Sequence, residues 1–444
     1  MESLRGDGAT GPATDADITA RSRRIDSVDH DAVVAAIDRP SVVWREPDTD
    51  ILAVGATATL TARGTDRFSQ VRAEARSLFD SLSTADVPRV ARPRLFGGFA
   101  FYEREASADD AWTGFPDARF VLPAVQIFSP GEATWLTTTA PTAGEAERRL
   151  EEWADRIETA TRPADAGPPG VTGKRRTPSK AVWREQVRDA VAAIGEERLR
   201  KVVLAQSLSV DLERPLSLAD ALARLDATYP DCYRFAVTPE AEDAGTFFGA
   251  TPERLVSLYG RTVQTEALAG STGRGDTPAE DEWLAEELLD SEKDNHEHDL
   301  VVEAIHDQLE PLAASVTDDE RTVRRLATVQ HLRTPIKAEL DADSHVLSLV
   351  EELHPTPAVG GLPPDAALET IRETESFDRG WYAAPVGWFD AAGNGTFCVG
   401  IRSALASDGT ASLFAGAGIV ADSDPDREWD EVQLKYRPML DQLE

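Results

Sequence analysis

Phe247-Phe-Gly-Ala-Thr-Pro-Glu-Arg-Leu255 sets two apolar runs, 246–250 and 255–259, on either side of a short turn that carries Glu253. The segment reads as strand, turn, strand. Working outward, Lys201 to Val210 is a further strand, rich in Val and Leu. It follows a helix opened by Ser179 or Lys180, whose Trp183, Val187, Val191 and Ile194 fall on one face. Toward the C-terminus, strands at 396–402 and 411–415 alternate with helices near 279–310 and 424–443. The last of these has Asp424 as N-cap and Pro425 at the first helical position.

The N-terminal half has a looser pattern. Residues 1–25 are small, polar and charged, as expected of a flexible tail. Over 26–165, strand-like runs such as Ser41–Trp44 and Ile51–Val54 alternate with charged helical stretches at 67–80 and 144–158, giving a mixed α and β half. A stretch rich in Pro, Gly and basic residues, 166–179, reads as a linker or surface loop before a region spanning 180–444. A length of 444 residues suits two or three domains, or one large sandwich.

Acidic residues number 79 against 46 basic ones, a formal charge of −33. Such a chain repels phosphates, which argues against nucleic acid as a partner. With 41% hydrophobic residues and nine tryptophans it is expected to pack rather than stay disordered. The surplus of carboxylates suits a surface adapted to high salt, where the screening length shrinks to about 3 Å at 1 M. Only six of the basic residues are lysine, so each one invites a question. Cys232 and Cys398 form no C-x-x-C pair, the first residues lack the apolar core of a signal peptide, and no stretch is long and apolar enough to span a bilayer. These features lead to the expectation of a cytoplasmic protein without membrane partners.

Carboxylates at helical spacing are the first chemical signal. Asp294 and Glu297, in Ser291-Glu-Lys-Asp-Asn-His-Glu-His-Asp299, share one helical face, as do Glu428 and Glu431, with Lys435 a turn further on. Two such helices facing each other would suit a hard divalent cation, although in so acidic a chain such pairs are ordinarily solvated surface. His296 and His298 are two apart and point in different directions, a poor zinc pair. Ala415-Gly-Ala-Gly-Ile-Val-Ala421 matches G-x-G-x-x-A, but no helix opens within it. Its small residues would instead admit an anion close to backbone N–H groups. Lys201 is either a packed stem with a solvated head or a lysine kept because only lysine can lose its proton and act as a base. Glu253, in a turn between two strands, reads by itself as a surface acid.

Taken together, these segments resemble the chorismate-utilising enzymes, a family that includes isochorismate, salicylate, anthranilate and aminodeoxychorismate synthases. The resemblance runs through Lys-Val-Val-Leu-Ala (201–205), the 247–255 segment, Thr-Glu-Ala-Leu-Ala-Gly (265–270), Lys-Asp-x-x-Glu-His (293–298) and Leu-His-Pro-Thr-Pro-Ala-Val-Gly-Gly (353–361). It continues in Pro-Val-Gly-Trp (385–388), Ile-Arg-Ser-Ala (401–404), Ala-Gly-Ala-Gly-Ile-Val (415–420) and Glu-Trp-x-Glu-x-x-x-Lys (428–435). In the N-terminal half only Leu95-Phe-Gly-Gly-Phe-Ala-Phe101 is similar.

The resemblance implies an α+β fold of large, mostly antiparallel sheets in a sandwich with helices outside. It implies Lys201 as the general base that activates water toward C2 of chorismate, and Glu253 as the general acid that protonates the departing C4 hydroxyl. Mg²⁺ is the implied cofactor, with Glu297 and Glu431 as ligands and Asp294 and Glu428 one water further out. Arg402 and Lys435 match substrate-carboxylate positions, aided by backbone at Gly270, Gly416, Ala417 and Gly418, with His354 and Tyr382 lining the pocket. Family members that use ammonia carry Gln where this chain has Lys201, which favours water as the nucleophile. The 265–270 motif is most similar to the isochorismate synthases; salicylate synthase, which goes on to eliminate pyruvate, is the alternative. Two positions depart from the pattern, Gln206 where Arg often stands and Ala384 where Gly is usual. The expected partner is chorismate alone, in a monomer or homodimer, with menaquinone or siderophore synthesis as the route served.

Overall fold

The computed structural model describes residues 17–444 apart from 38, 48, 105–110 and 132. Among the described residues, 21 strands join into one continuous pairing network that bends into two wings. The first wing runs, in pairing order, through Val171–Thr177, Lys201–Leu212, Thr410–Ile419, Ser403–Ser407, Thr246–Thr251, Tyr233–Val237, Val42–Glu46 and Thr49–Ala62. The second runs through Leu95–Phe99, Pro385–Phe389, Gly395–Val399, Arg254–Tyr259, Thr262–Gly273 and Val329–Leu340. Ala118–Pro130 joins them, since it pairs with Thr49–Ala62 along one edge and with Leu95–Phe99 on the other. Every pairing is antiparallel except the short match of Ile18 and Thr19 with Leu82 and Ser83. The sandwich expected from the resemblance is therefore the observed architecture.

Between the wings lies one apolar core to which both halves of the chain contribute. Trp112 stacks on Phe414 at 5.3 Å and meets Phe247 edge-on at 5.1 Å. Phe115 packs against Trp381 at 5.1 Å. Val42–Glu46 and Leu95–Phe99 are strands of the C-terminal half's own sheets. The division near residue 165 thus marks a change of composition across a shared core.

Two boundary expectations need correction. Residues 18–25, placed in the tail, form a strand against Thr134–Ala140, with Ile18 and Ala20 turned inward; residues 1–16 lie outside the described residues. Residues 171–177, placed in the linker, form a strand on Lys201–Leu212. Both sit at sheet margins, where backbone pairing suffices and charged side chains such as Lys174, Arg175 and Arg176 face water.

The opening segment also pairs differently from a hairpin. Thr246–Thr251 and Arg254–Tyr259 belong to different wings, so Pro252 and Glu253 form a crossover between sheets. The strand expected at 396–402 breaks in the same way, into Gly395–Val399 and Ser403–Ser407, with Arg402 in the left-handed region at φ 49°. The two crossovers are tied together: Ala250 N donates to Arg402 O at 3.1 Å and Val399 N to Glu253 O at 3.0 Å. Glu253 and Arg402 therefore reach the space between the wings side by side.

Helices close the open end of that space. The helical stretch near 279–310 is two helices, Pro278–Asp290 and Glu292–Leu309, because Ser291 leaves helical geometry and caps the second by accepting from Asp294 N. Pro425–Leu440 begins as expected, with Asp424 accepting from Asp426 N and Arg427 N.

Candidate active site

Lys201 opens its strand with a side chain only 1% exposed, facing a cavity of about 500 Å³ between the wings. Its Nζ meets Glu297 Oε1 at 2.8 Å. Burial alone would push the Glu297 carboxyl up, but Lys201, with lesser help from Lys435 and Lys293, holds it below the usual carboxylate range. Glu253 enters the same cavity from the crossover. Burial, reinforced by the negative charge of Glu266, raises its carboxyl to about 7, against the opposing pull of a Thr356 hydroxyl bond, Lys201 and Arg402.

Alternation along the strands decides which neighbours join them. On Thr410–Ile419, Gly416 and Gly418 face the cavity, while Ala417 turns its methyl into the core, which leaves its expected contribution to its backbone alone. A Cβ at Gly418 would stand 2.9 Å from both Glu297 Oε1 and Lys201 Cε, so only glycine leaves that ion pair in place. Gly270 sits at a bulge, between Ala269 and Ser271, at φ +74°. Gly418→Ala is expected to lower turnover on the order of 10²-fold by displacing the pair by about 1 Å. Its melting temperature should stay near that of the parent, because the displaced atoms are the ends of flexible side chains; a fully active variant would show the fit to be loose.

Arg402 and Lys435 also reach the cavity. Lys435 Nζ donates to Gly416 O at 2.9 Å and pairs with Glu431 Oε1 at 2.6 Å. Arg402 Nη2 donates to His331 Nε2 at 3.4 Å, and His331 Nδ1 lies 2.8 Å from Ser271 Oγ. Burial first, then the charges of Arg402 and Lys435, hold His331 well below the usual histidine range, so it is a neutral acceptor for the arginine. Tyr382 lines the wall, stacked on Phe414 at 5.3 Å.

His354 does not join them. Its Nε2 is hydrogen-bonded to Phe101 O at 2.9 Å and its ring packs against Phe101, which places it outside the cavity lining. The zinc reading of the 296–298 pair fails in the structure as well. His298 is buried between Ala269 O and Thr334 Oγ1, while His296 is exposed. Sequence reasoning missed His331, Lys293 and Arg427, all of which line the cavity. His331 stands alone in a strand without a motif. Lys293, by contrast, was visible as one of six lysines beside Asp294.

Asp294, Glu297, Glu428 and Glu431 line one side of the cavity. Glu428 Oε1 lies 3.9 Å from Lys293 Nζ. Burial and the nearby Glu431 raise Glu428 to about 7, and burial together with the Glu297 and Glu431 charges raises Asp294. Among the described residues, no group of three or more His, Cys, Asp or Glu side chains stands close enough to enclose a metal ion; Glu297 and Glu431 are turned onto lysines instead.

A two-winged antiparallel sandwich with a buried lysine, a proton-holding carboxyl and a cationic wall defines an enzyme of the chorismate-binding family, to which this chain belongs: the family described as "Chorismate binding enzyme" matches residues 10–444. In particular, the chain is 38% identical over 461 aligned positions to the salicylate biosynthesis isochorismate synthase of Pseudomonas aeruginosa, covering 100% of this chain and 94% of that protein. It is 35% identical over 413 positions to the isochorismate synthase MenF of Bacillus subtilis, covering 90% and 87%. Among solved structures, MenF, the menaquinone-specific isochorismate synthase from Escherichia coli, superposes with a TM-score of 0.81 at 27% identity, over 96% of this chain and 95% of that one.

Proposed function

We infer that the protein is an isochorismate synthase, an isomerase that converts chorismate to isochorismate and serves menaquinone synthesis. The observation that carries this reading is the pairing, in one cavity, of a buried lysine with a carboxyl raised to about 7. Kinship to relatives named isochorismate synthase supports it, and the lysine at position 201 favours water over ammonia.

The reaction replaces a hydroxyl at C4 by one at C2, with the ring double bonds shifting between them. Lys201 takes a proton from the attacking water, and Glu253 gives one to the departing hydroxyl, which leaves as water. The proton then returns from Lys201 to Glu253 through solvent, so the cycle is neutral overall. A group near pKa 7 is suited to donate at neutral pH, because it is still substantially protonated there and yet a competent acid. Arg402 and Lys435 offset the substrate's two negative charges at contact range, where the distant surface carboxylates are screened.

Mg²⁺ fits the chemistry of the wall: its donors are carboxylate oxygens, and two of the acids, Asp294 and Glu428, are raised by burial and by the nearby charges of Glu297 and Glu431, a surplus that a divalent cation neutralises. Glu297 and Glu431 would hold it, with Asp294 and Glu428 behind them. Its chemistry there would be to supply positive charge for the ring carboxylate and for Glu297, which otherwise pairs with Lys201. The setting we propose is the cytoplasm of a salt-adapted cell, with no nucleic-acid or membrane partner and a monomeric or homodimeric state. No helix among the described residues is long and apolar enough to cross a membrane.

Chromatography of products formed from chorismate, with Mg²⁺ and with EDTA, across a KCl series, tests this reading. Isochorismate is expected as the product, lost on chelation, with a rate that rises with salt before it falls. Release of pyruvate would make the protein a salicylate synthase instead, and an unchanged rate in EDTA would remove the metal.

A further inference from the structure

Behind Glu253, on the side away from the cavity, lies a second buried carboxylate for which the chemistry above has no use. Glu266, in the Thr265–Gly270 segment, is 5% exposed. Its Oε1 accepts from the backbone N of Arg254 at 3.2 Å and from Arg324 Nη1 at 3.2 Å, and its Oε2 accepts from Arg333 Nε at 2.5 Å. The same Arg324 Nη1 donates to Pro252 O at 2.7 Å, and its Nη2 reaches Asp231 O at 2.7 Å. The residues before and after Glu253 are thus both fastened to one ion pair.

Resting on the reading of Glu253 as general acid, we propose that Glu266 is a positioning residue for it: with Arg324 it clamps the Pro252–Arg254 crossover from behind and sets a fixed negative charge beside the proton donor. Two consequences follow from the geometry. The crossover is bound at both flanks of Glu253, so the carboxyl is presented from a backbone that cannot slide between the wings. The charge of Glu266 also disfavours a second carboxylate nearby, which keeps the proton on Glu253. Opposing it across the cavity are Lys201 and Arg402, with the Thr356 hydroxyl bonded to Glu253. Tyr382 and Cys398 also sense the Glu253 charge, but burial holds both neutral at working pH, Tyr382 up at about 12 and Cys398 well above its usual range.

The arginines give the test two directions. Arg333, half-buried on Val329–Leu340, partly neutralises Glu266 from its more exposed side. In the full-length enzyme, Glu266→Gln removes the negative charge and should move the alkaline limb of kcat/KM to lower pH by more than about half a unit. Arg333→Gln unmasks that charge and should move the limb to higher pH. A residue that merely supported the fold would lower rate or stability without moving the limb in opposite directions. The carboxyl stretch of Glu253 in infrared difference spectra, assigned by its loss in Glu253→Gln, reports the same titration without turnover. Opposite shifts in limb and stretch support the proposal; if Glu266→Gln does not fold, the upward shift in Arg333→Gln decides alone. An unmoved Glu253 stretch in the folded variants overturns it. A moved stretch with an unmoved limb shows instead that Glu253 is not the general acid, and the positioning role falls with that reading.

Discussion

Lys201→Met is expected to lower kcat by about 10²–10⁴-fold, the range a positioned general base supplies, while chorismate binding stays measurable through Arg402 and Lys435. Methionine keeps the length of the stem and removes the amine. The same change leaves Glu297 as an uncompensated carboxylate in the cavity wall. Breaking a buried pair from one side costs about 3–5 kcal/mol, with the lower end expected here because Glu297 keeps 16% side-chain exposure. The pH dependence has a definite sign. Glu297 is held below its ordinary value by the pair, so its contribution is present above about pH 4.5 and fades as pH falls through the lowered value. Loss of activity and loss of stability are separable in the double variant Lys201→Met with Glu297→Gln, which removes the orphaned charge. It should regain thermal stability at pH 7 and remain inactive. Turnover at the parent rate in either variant would take Lys201 out of the chemistry.

Much of this site was legible because its residues sit in short segments with strong local patterns. Lys201 begins an apolar strand, Glu428, Glu431 and Lys435 repeat at helical spacing, and Gly416 and Gly418 are small residues two apart on one strand face. The structure brings these into one cavity. What was not legible depends on partners distant in sequence. The short turn around Glu253 looks the same whether its strands pair with each other or with Tyr233–Val237 and Gly395–Val399, and only the latter makes it a crossover. His354 belongs to a motif, but motif membership does not state which way a ring turns, and Phe101 takes it. The strand Ile18–Ile25 was hidden by three arginines, which a sheet margin tolerates and a central strand does not.

Glu253→Gln is expected to lose about 10²–10⁴-fold in turnover and yet to melt higher than the parent in alkaline buffer. The first half follows from the loss of the donated proton, since an amide keeps the shape and hydrogen-bonding reach of the acid but cannot protonate a leaving hydroxyl. The second follows from linkage. Burial and the neighbouring Glu266 raise Glu253 from an ordinary 4.5 to about 7, so the folded form holds its proton more tightly than the unfolded chain does. Stability from that source is complete below about pH 4.5 and is lost as pH rises through 7. At 1.36 kcal/mol per unit the cost above pH 7 approaches about 3 kcal/mol as an upper bound, and glutamine, which never ionises, escapes it. The gap between variant and parent should therefore open between about pH 4.5 and 7, stay level above that and close toward pH 4. The same ionisation should make kcat/KM of the parent fall above about pH 7, because the deprotonated acid cannot assist departure. A site that maintains a strained proton at the expense of stability behaves in this way, whereas a carboxylate kept for structure does the reverse: its amide variant stays active and melts lower. Melting curves and pH profiles of the two proteins across this range decide between them.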